Sequence, residues 1–283
     1  MSAQPPLHTM EGRLDELAAI MRSSSRFLVL TGAGVSTDSG IPDYRDRDGE
    51  WKRSAPMQFS EFSGSERARK RYWARSMVGW PQVRNARPNA AHAALARLEQ
   101  LGFIHTLVTQ NVDGLHQRAG SRQVIDLHGR LDEVICLSCQ NTLPRDEYQD
   151  ALIARNAKWA GLDAGIAPDG DADLDGVDFD AFEPVPCPIC AGAMKPRVVF
   201  YGESIPGAIS RQANAVLDAA DGLLVVGSSL MVFSGFRFAR SMAERGRPVA
   251  AINRGKTRAD GLIGLKIDAD IALALARLSR LLQ

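Results

Sequence analysis

Four short stretches of this chain concentrate the residue types that chemistry needs. Thr31 to Arg45 reads TGAGVSTDSGIPDYR, with an apolar run from Phe27 to Leu30 leading into Gly32, Ala33 and Gly34. Two glycines one residue apart let a backbone turn tightly and approach a ligand, and N–H groups exposed at such a turn hold phosphate without a basic side chain. A nucleotide is the expected ligand. The dinucleotide fingerprint asks for a third glycine three residues after the second, where Thr37 stands, so the hydride-transfer pattern is not met. The tail of the loop instead packs Asp43, Tyr44 and Arg45 together. Arg45 could clamp a diphosphate by charge-assisted bonds, or pair with Asp43.

The second stretch, Thr109 to His116, reads TQNVDGLH. Asn111 and Asp113 combine an amide with a carboxylate, the complement that a carboxamide needs, although both types are also common turn formers. The third is His128-Gly129. An imidazole near its ordinary pKa at a strand end can move protons at neutral pH. Of the other histidines, His92 falls in a helical stretch and His105 in an extended one, where both read as structural, and His8 lies in a tail.

The fourth stretch is the cysteines, all of which occur in two C-x-x-C pairs, Cys136/Cys139 and Cys187/Cys190. Thiolates two residues apart on a tight turn can both reach one tetrahedral zinc, and two matched pairs close such a site. The ion would be structural. Between the pairs, Asp171, Asp173, Asp175 and Gly176 mimic the opening of a calcium loop, but Phe182 occupies the twelfth position where a bidentate acid belongs. That stretch reads as a solvated acidic insertion.

These groups need a scaffold that brings them to one place. The chain has 283 residues, enough for one large domain or two unequal ones, with 45% hydrophobic and 24% charged content, as in ordinary globular proteins. Its net charge of +1 provides no global field for nucleic acid or an anionic membrane. No apolar run approaches bilayer length. The N-terminal stretch lacks a charged-then-apolar signal layout, and Glu11, Asp15 and Glu16 argue against a mitochondrial presequence, so a cytoplasmic location is expected.

Periodicity predicts an amphipathic helix over 11–22, a basic helical excursion around 66–80, and a helix capped by Asn89 that stops at Gly102. Strands are expected at 103–108, 124–127, 198–201, 223–226 and 249–252, and helices at 210–220, 240–245 and 271–282. In a parallel α/β sheet the ligand crevice lies outside the carboxyl ends of the strands. The glycine loop, TQNVDG and His128 would therefore face one cleft.

Together, GAGVSTDSGIPDYR, TQNVDGLH, LHG, the two C-x-x-C pairs, VVFYGE, GSSL and IN resemble the sirtuins, NAD-dependent protein lysine deacylases, in the family's order. The resemblance implies an α/β fold: a Rossmann-like parallel sheet over 1–45, 86–133 and 195–283, a helical lobe over 46–85, and a smaller zinc-binding module over 134–194. It implies that Gly32, Ala33, Gly34 and the loop through Asp43, Tyr44 and Arg45 hold pyrophosphate and ribose. Asn111 and Asp113 would receive the nicotinamide amide, Gln110 would orient the ribose, and His128 would be the general base. Gly227, Ser228, Ser229, Asn253 and Ile271 would line the adenosine. Val199, Phe200, Tyr201 and Gly202 would pair with the acyl-lysine peptide as an added strand.

Two features suggest a branch. GSSLMVFSGFRF departs from the GTSLxVxP form of many deacetylases, and INRGKTRAD with the acidic insertion resembles the class II branch that includes a mitochondrial lipoamidase-type sirtuin. Tyr72 and Arg75, one helical turn apart, match the Tyr-x-x-Arg pair that binds acyl carboxylates in some sirtuins, which would favour acidic or bulky acyl groups. The alternative functions are mono-ADP-ribosyl transfer on the same fold, a zinc-ribbon module binding nucleic acid, and nicotinamide-dependent oxidoreduction. The oligomeric state is open.

Overall fold

The computed structural model describes residues 9–24, 26–52, 56–162, 171, 172, 174 and 177–283. His8, Asp173, Asp175 and Gly176 lie outside the described residues, and with them most of the calcium-like motif. Among the described residues nine strands follow in chain order: β1 (Phe27–Thr31), β2 (Ile104–Thr109), β3 (Val124–Asp126), β4 (Gly129–Cys136), β5 (Thr142–Pro144), β6 (Met194–Val198), β7 (Gly222–Val226), β8 (Val249–Ile252) and β9 (Leu265–Ile267). Six of them form a sheet in the order β3-β2-β1-β7-β8-β9, every pair parallel.

FLVLT and GLLVV, the two central strands, are buried at every position. Continuous apolar runs of this kind belong to a parallel sheet covered on both faces. One face carries α1 (Met10–Arg22) and, after α2 (Phe59–Gly64) and α3 (Glu66–Asn85) in the chain, α4 (Ala90–Gln100). Asn89 accepts from the Ala91 amide at 2.9 Å, and the Asn89 amide donates to His92 Nδ1 at 3.3 Å, a reciprocal cap that fixes where α4 begins. Its stop at Gly102, with φ of +83°, is a left-handed position that glycine adopts at little cost.

The chain first builds outward, β1 to β2 to β3, with the short α5 (Leu115–Arg118) between the last two. It then crosses back to place β7, β8 and β9 on the other side of β1. The reversal between β1 and β7 is where a ligand crevice opens in a doubly wound sheet. The registers Thr31↔Thr109, Thr31↔Val226, Thr109↔Asp126 and Val226↔Ile252 keep the carboxyl ends level. Five loops therefore emerge along one edge.

The other three strands form an antiparallel sheet, β5-β4-β6. It extends beyond the expected zinc module at both ends, because β4 begins at Gly129 and β6 runs to Val198. With α6 (Arg145–Arg155) it shares one apolar core with the helical lobe, where Phe62, Trp73 and Met77 meet Val134, Tyr148 and Met194. The lobe and the module are thus one packing unit. The second face of the large sheet is covered by α7 (Gly207–Ala219) and α8 (Phe233–Glu244), and α9 (Ile271–Leu281) closes the first face. Among the described residues no helix is long and apolar enough to cross a membrane.

Behind the glycine loop, His92 and His116 are fully buried with ring centroids 4.8 Å apart. Burial lowers the pKa of His92, opposed by Asp113, and burial with the neighbouring His92 pushes His116 down to about 3. Burial favours the neutral form of both rings in the fold, whereas an unfolded chain protonates them below about pH 6.5. A cationic group with a depressed folded pKa contributes stability that is present above 6.5 and lost as pH falls toward the folded value. Stability should then fall below pH 6.5 by up to about 1.4 kcal/mol per histidine per unit. Urea unfolding at pH 7.5, 6 and 5 checks this, and a flat profile would contradict neutral burial.

Candidate active site

The five loops enclose a cleft of about 420 Å³. Ligand pockets occupy roughly 300–1,000 Å³. From the first loop it is lined by Gly32, Ala33, Gly34, Asp43, Tyr44 and Arg45, and from the second by Gln110, Asn111 and Asp113. His128 comes from the end of β3, Gly227, Ser228 and Ser229 from β7, and Asn253 from β8. Tyr72 and Val199 to Gly202 line the side formed by the smaller unit.

Two expected residues are not brought there. Ile271 starts α9 and packs against the apolar layer beneath the sheet. Arg75 lies one turn beyond Tyr72, but its Nε donates to the Ala172 carbonyl at 2.8 Å, and the Ala172 amide returns a bond to the Arg75 carbonyl at 2.9 Å. The guanidinium is held by the insertion, away from the cleft.

The glycines act differently from the sequence expectation. Gly32 N–H donates to the Val226 carbonyl at 3.1 Å and Gly34 N–H to the Gly227 carbonyl at 2.9 Å, so both amides stitch neighbouring strand ends. A Cβ on Gly32 would stand 2.7 Å from Ser228 Cβ. The glycines let two turns touch, and the chain then runs through two 3-10 turns, Ala33–Val35 and Thr37–Ser39, in place of an α-helix. Arg45 does not pair with Asp43, which bonds Lys52. Its guanidinium lies 3.6 Å from the Trp51 ring centroid and donates to the Gly49 carbonyl at 2.6 Å.

The second loop is tied to the first. Asn111 Nδ2 donates to the Gly32 carbonyl at 3.1 Å and to Ser36 Oγ at 3.0 Å, and Ser36 Oγ donates to Asp113 Oδ2 at 2.6 Å. The Leu115 amide donates to Asp113 Oδ1 at 2.8 Å. With its amide nitrogen spent inside the protein, Asn111 offers its carbonyl oxygen, an acceptor, to a ligand amide. Ser36 is the buried hydroxyl that joins the pair, and the sequence reading missed it. Its position inside the GAGVS run was the available signal. Gln110 is held by Ser228, whose Oγ donates to its Oε1 at 2.6 Å.

His128 faces the cleft between two partners: the Gln110 carbonyl lies 3.0 Å from Nδ1 and Ser234 Oγ lies 2.8 Å from Nε2. Burial lowers its pKa, opposed by the Gln110 carbonyl. Burial thus favours the neutral ring, the form a base needs. Gly129, the next residue, has φ of +78°, and a Cβ there would lie 2.1 Å from the Arg197 carbonyl oxygen. Gly129→Ala combines left-handed strain with a backbone clash and should cost about 2–4 kcal/mol. Thermal unfolding measures this; an unchanged melting temperature would contradict it.

The segment after β6 is not the expected strand over 198–201. The strand ends at Val198, and the Glu203 amide closes a turn onto the Phe200 carbonyl at 3.0 Å. Buried Lys195 shapes the turn: its Nζ bonds Glu203 Oε2 at 3.1 Å, and the same oxygen accepts from the Phe200 amide at 2.9 Å. This ion pair was not foreseen from the sequence.

The four cysteine Sγ atoms lie within 4.8 Å of one another. Cys136 and Cys190 are 3.5 Å apart, Cys139 and Cys187 3.6 Å. Edges of about 3.8 Å are expected for four sulfurs at ~2.3 Å from a tetrahedral ion. The knuckles end at Gln140 and Ala191, both with positive φ, as tight turns around such an ion require. The cluster fits a closed four-thiolate metal site.

A profile of the Sir2 family matches residues 32–234. The chain is 58% identical over 251 residues to the NAD-dependent protein deacetylase of Xanthomonas axonopodis pv. citri, covering 89% of this chain and 86% of that protein. It is 56% identical over 261 residues to that of Bordetella bronchiseptica, covering 91% and 95%. Among solved structures, a Sir2 homologue in complex with NAD superposes with a TM-score of 0.71 at 30% identity, covering 95% of this chain and 93% of that one. Sir2Tm bound to a propionylated peptide gives 0.73 at 28%, covering 94% and 97%. A cleft assembled from five strand ends, with a four-cysteine cluster at the far end of β4, thus accompanies a match over most of the length, and the chain belongs to the Sir2 family.

Proposed function

We propose that this protein is an NAD-dependent protein lysine deacylase that transfers the acyl group to ADP-ribose and releases nicotinamide. The observation that carries the reading is the convergence of the glycine loop, Asn111 with Asp113, and His128 on one cleft. The relatives named NAD-dependent protein deacetylase, and the similar structures holding NAD or a propionylated peptide, support it. The donor set suits NAD: Asn111 presents an amide oxygen toward a carboxamide, and Arg45, Ser229 and Asn253 supply polar groups along the cleft.

NAD supplies a ribose carbon from which nicotinamide can leave as the acyl oxygen attacks. The protein's own part is placement and proton transfer. With NAD bound, Asn111 and Asp113 would orient the carboxamide, Gln110, fixed by Ser228, would orient the ribose, and His128 Nε2 would take a proton from a ribose hydroxyl. The turn at Val199 to Gly202, pinned by Lys195 and Glu203, borders the peptide's path. We assign zinc to the four thiolates on their number, softness and spacing.

We also place the chain in the class II branch, supported by GSSLMVFSGFRF, INRGKTRAD and the insertion. Tyr72, Val83, Leu131 and Phe200 give the acyl end an apolar lining, and Arg75 is engaged by Ala172. Bulky uncharged acyl groups suit such a surface better than acidic ones. The test is a panel of acetyl-, glutaryl- and lipoyl-lysine peptides incubated with NAD and followed by nicotinamide release. Transfer of label from NAD into protein, with no acylated ADP-ribose formed, would replace this reading with ADP-ribosyl transfer.

A further inference from the structure

Ser234 is the second residue of α8 and stands where the GTSLxVxP form has proline. Its hydroxyl is 2.8 Å from His128 Nε2, and the Gln110 carbonyl is 3.0 Å from Nδ1. A carbonyl can only accept, so Nδ1 carries the proton in the neutral ring. Nε2 is then the lone-pair nitrogen, and Ser234 must donate to it. The imidazole is held from two sides by groups on two different segments.

We propose that Ser234 is a positioning residue for His128, donating to Nε2 so that this nitrogen stays unprotonated and directed into the cleft until a substrate hydroxyl takes its place. A proline at this position has no donor to offer. One χ1 rotation of serine releases the lone pair, so the contact prepares the base without blocking it. The inference rests on the reading of His128 as the base.

Among the described residues, the charged groups on neighbouring elements are engaged elsewhere. Asp126 accepts from Gln117 and feels Arg130 and Asp132, Asp113 accepts from Ser36 and Leu115, Glu203 pairs with Lys195, and Arg237 on α8 bonds Asn214. Arg240 on the same helix pairs with Glu244. What acts on His128 itself is burial, which favours the neutral ring, and the Gln110 carbonyl, which opposes it. A donor to the lone pair also favours the neutral ring, so its removal should make His128 easier to protonate.

The test compares Ser234→Ala and Ser234→Pro, which lack the hydroxyl, with Ser234→Thr, which keeps it. Proline is tolerated in a first helical turn, where no intrahelical bond is lost. With only five histidines in the chain, imidazole nitrogen resonances of the cofactor-free, labelled protein can be titrated directly. In the alanine and proline variants the protonation constant of His128 should rise about threefold, or about half a pH unit, and the threonine variant should restore it. With NAD and peptide, kcat/KM of the alanine variant should fall more on the acid side than at pH 8.5, the extra loss approaching about threefold well below the protonation midpoint, as the acid limb moves up with that half unit. A His128 titration unmoved in both hydroxyl-free variants overturns the proposal alone. A shifted titration with an unmoved acid limb overturns the base reading, and the catalytic role of Ser234 with it.

Discussion

Replacing His128 with alanine is expected to lower deacylation by about 10²–10⁴-fold, the span typical of a lost general base. The Gln110 carbonyl holds the ring in the tautomer whose free nitrogen faces the cleft, and burial favours its neutral form. Among the described residues no other imidazole lines the cleft: His92 and His116 are sealed behind the glycine loop, and His105 lies on β2 away from it. The proposed proton transfer is from a ribose hydroxyl and plays no part in nicotinamide departure, so exchange of labelled nicotinamide into NAD should persist while acylated ADP-ribose disappears. Steady-state assays of both products, beside a thermal melt, check the prediction. Full deacylation by the variant would remove His128 from its role.

Removing a cysteine should act on the fold before it acts on the chemistry. Cys136 and Cys187 are buried in the core that also holds Trp73, Tyr148 and Phe182, so the thiolate cluster and the helical lobe are stabilised together. Structural zinc in finger peptides contributes on the order of 10 kcal/mol or more at neutral pH. Cys187→Ala should therefore release the metal and unfold the smaller unit. Tyr72 and Phe200, which share its packing and line the cleft, would lose their support, and peptide turnover should fall with them. Metal content and a melt with and without chelator give the readout. A metal-free protein with an unchanged melting temperature would show that the cluster does not hold the unit together.

The parallel sheet was legible because its central strands are continuous apolar runs ending in small or polar residues, a pattern with few other uses. The capped helix at Asn89 and the strand at Val249–Ile252 were readable for similar local reasons. The antiparallel sheet was not, since Gly129–Cys136 mixes charged and apolar residues and Thr142–Pro144 is too short to register as a period. The α6 helix, with its buried Arg145 held by Gln149 and Ser76, also lacks a clean apolar stripe.

Within the site, residue identity followed from type and spacing, while partnership did not. Gly32, Gly34, Asn111, Asp113, His128 and the four cysteines could be named from the chain, because each belongs to a short motif whose chemistry is local. That Asn111 spends its nitrogen on Gly32, that Arg75 turns to Ala172, that Ile271 packs under the sheet and that Ser234 reaches His128 all depend on segments far apart in the chain. Side-chain direction on a helix and the meeting of two loop tips are set by packing between elements. A motif records what a residue can do, and only its neighbours in space fix which of those things it does here.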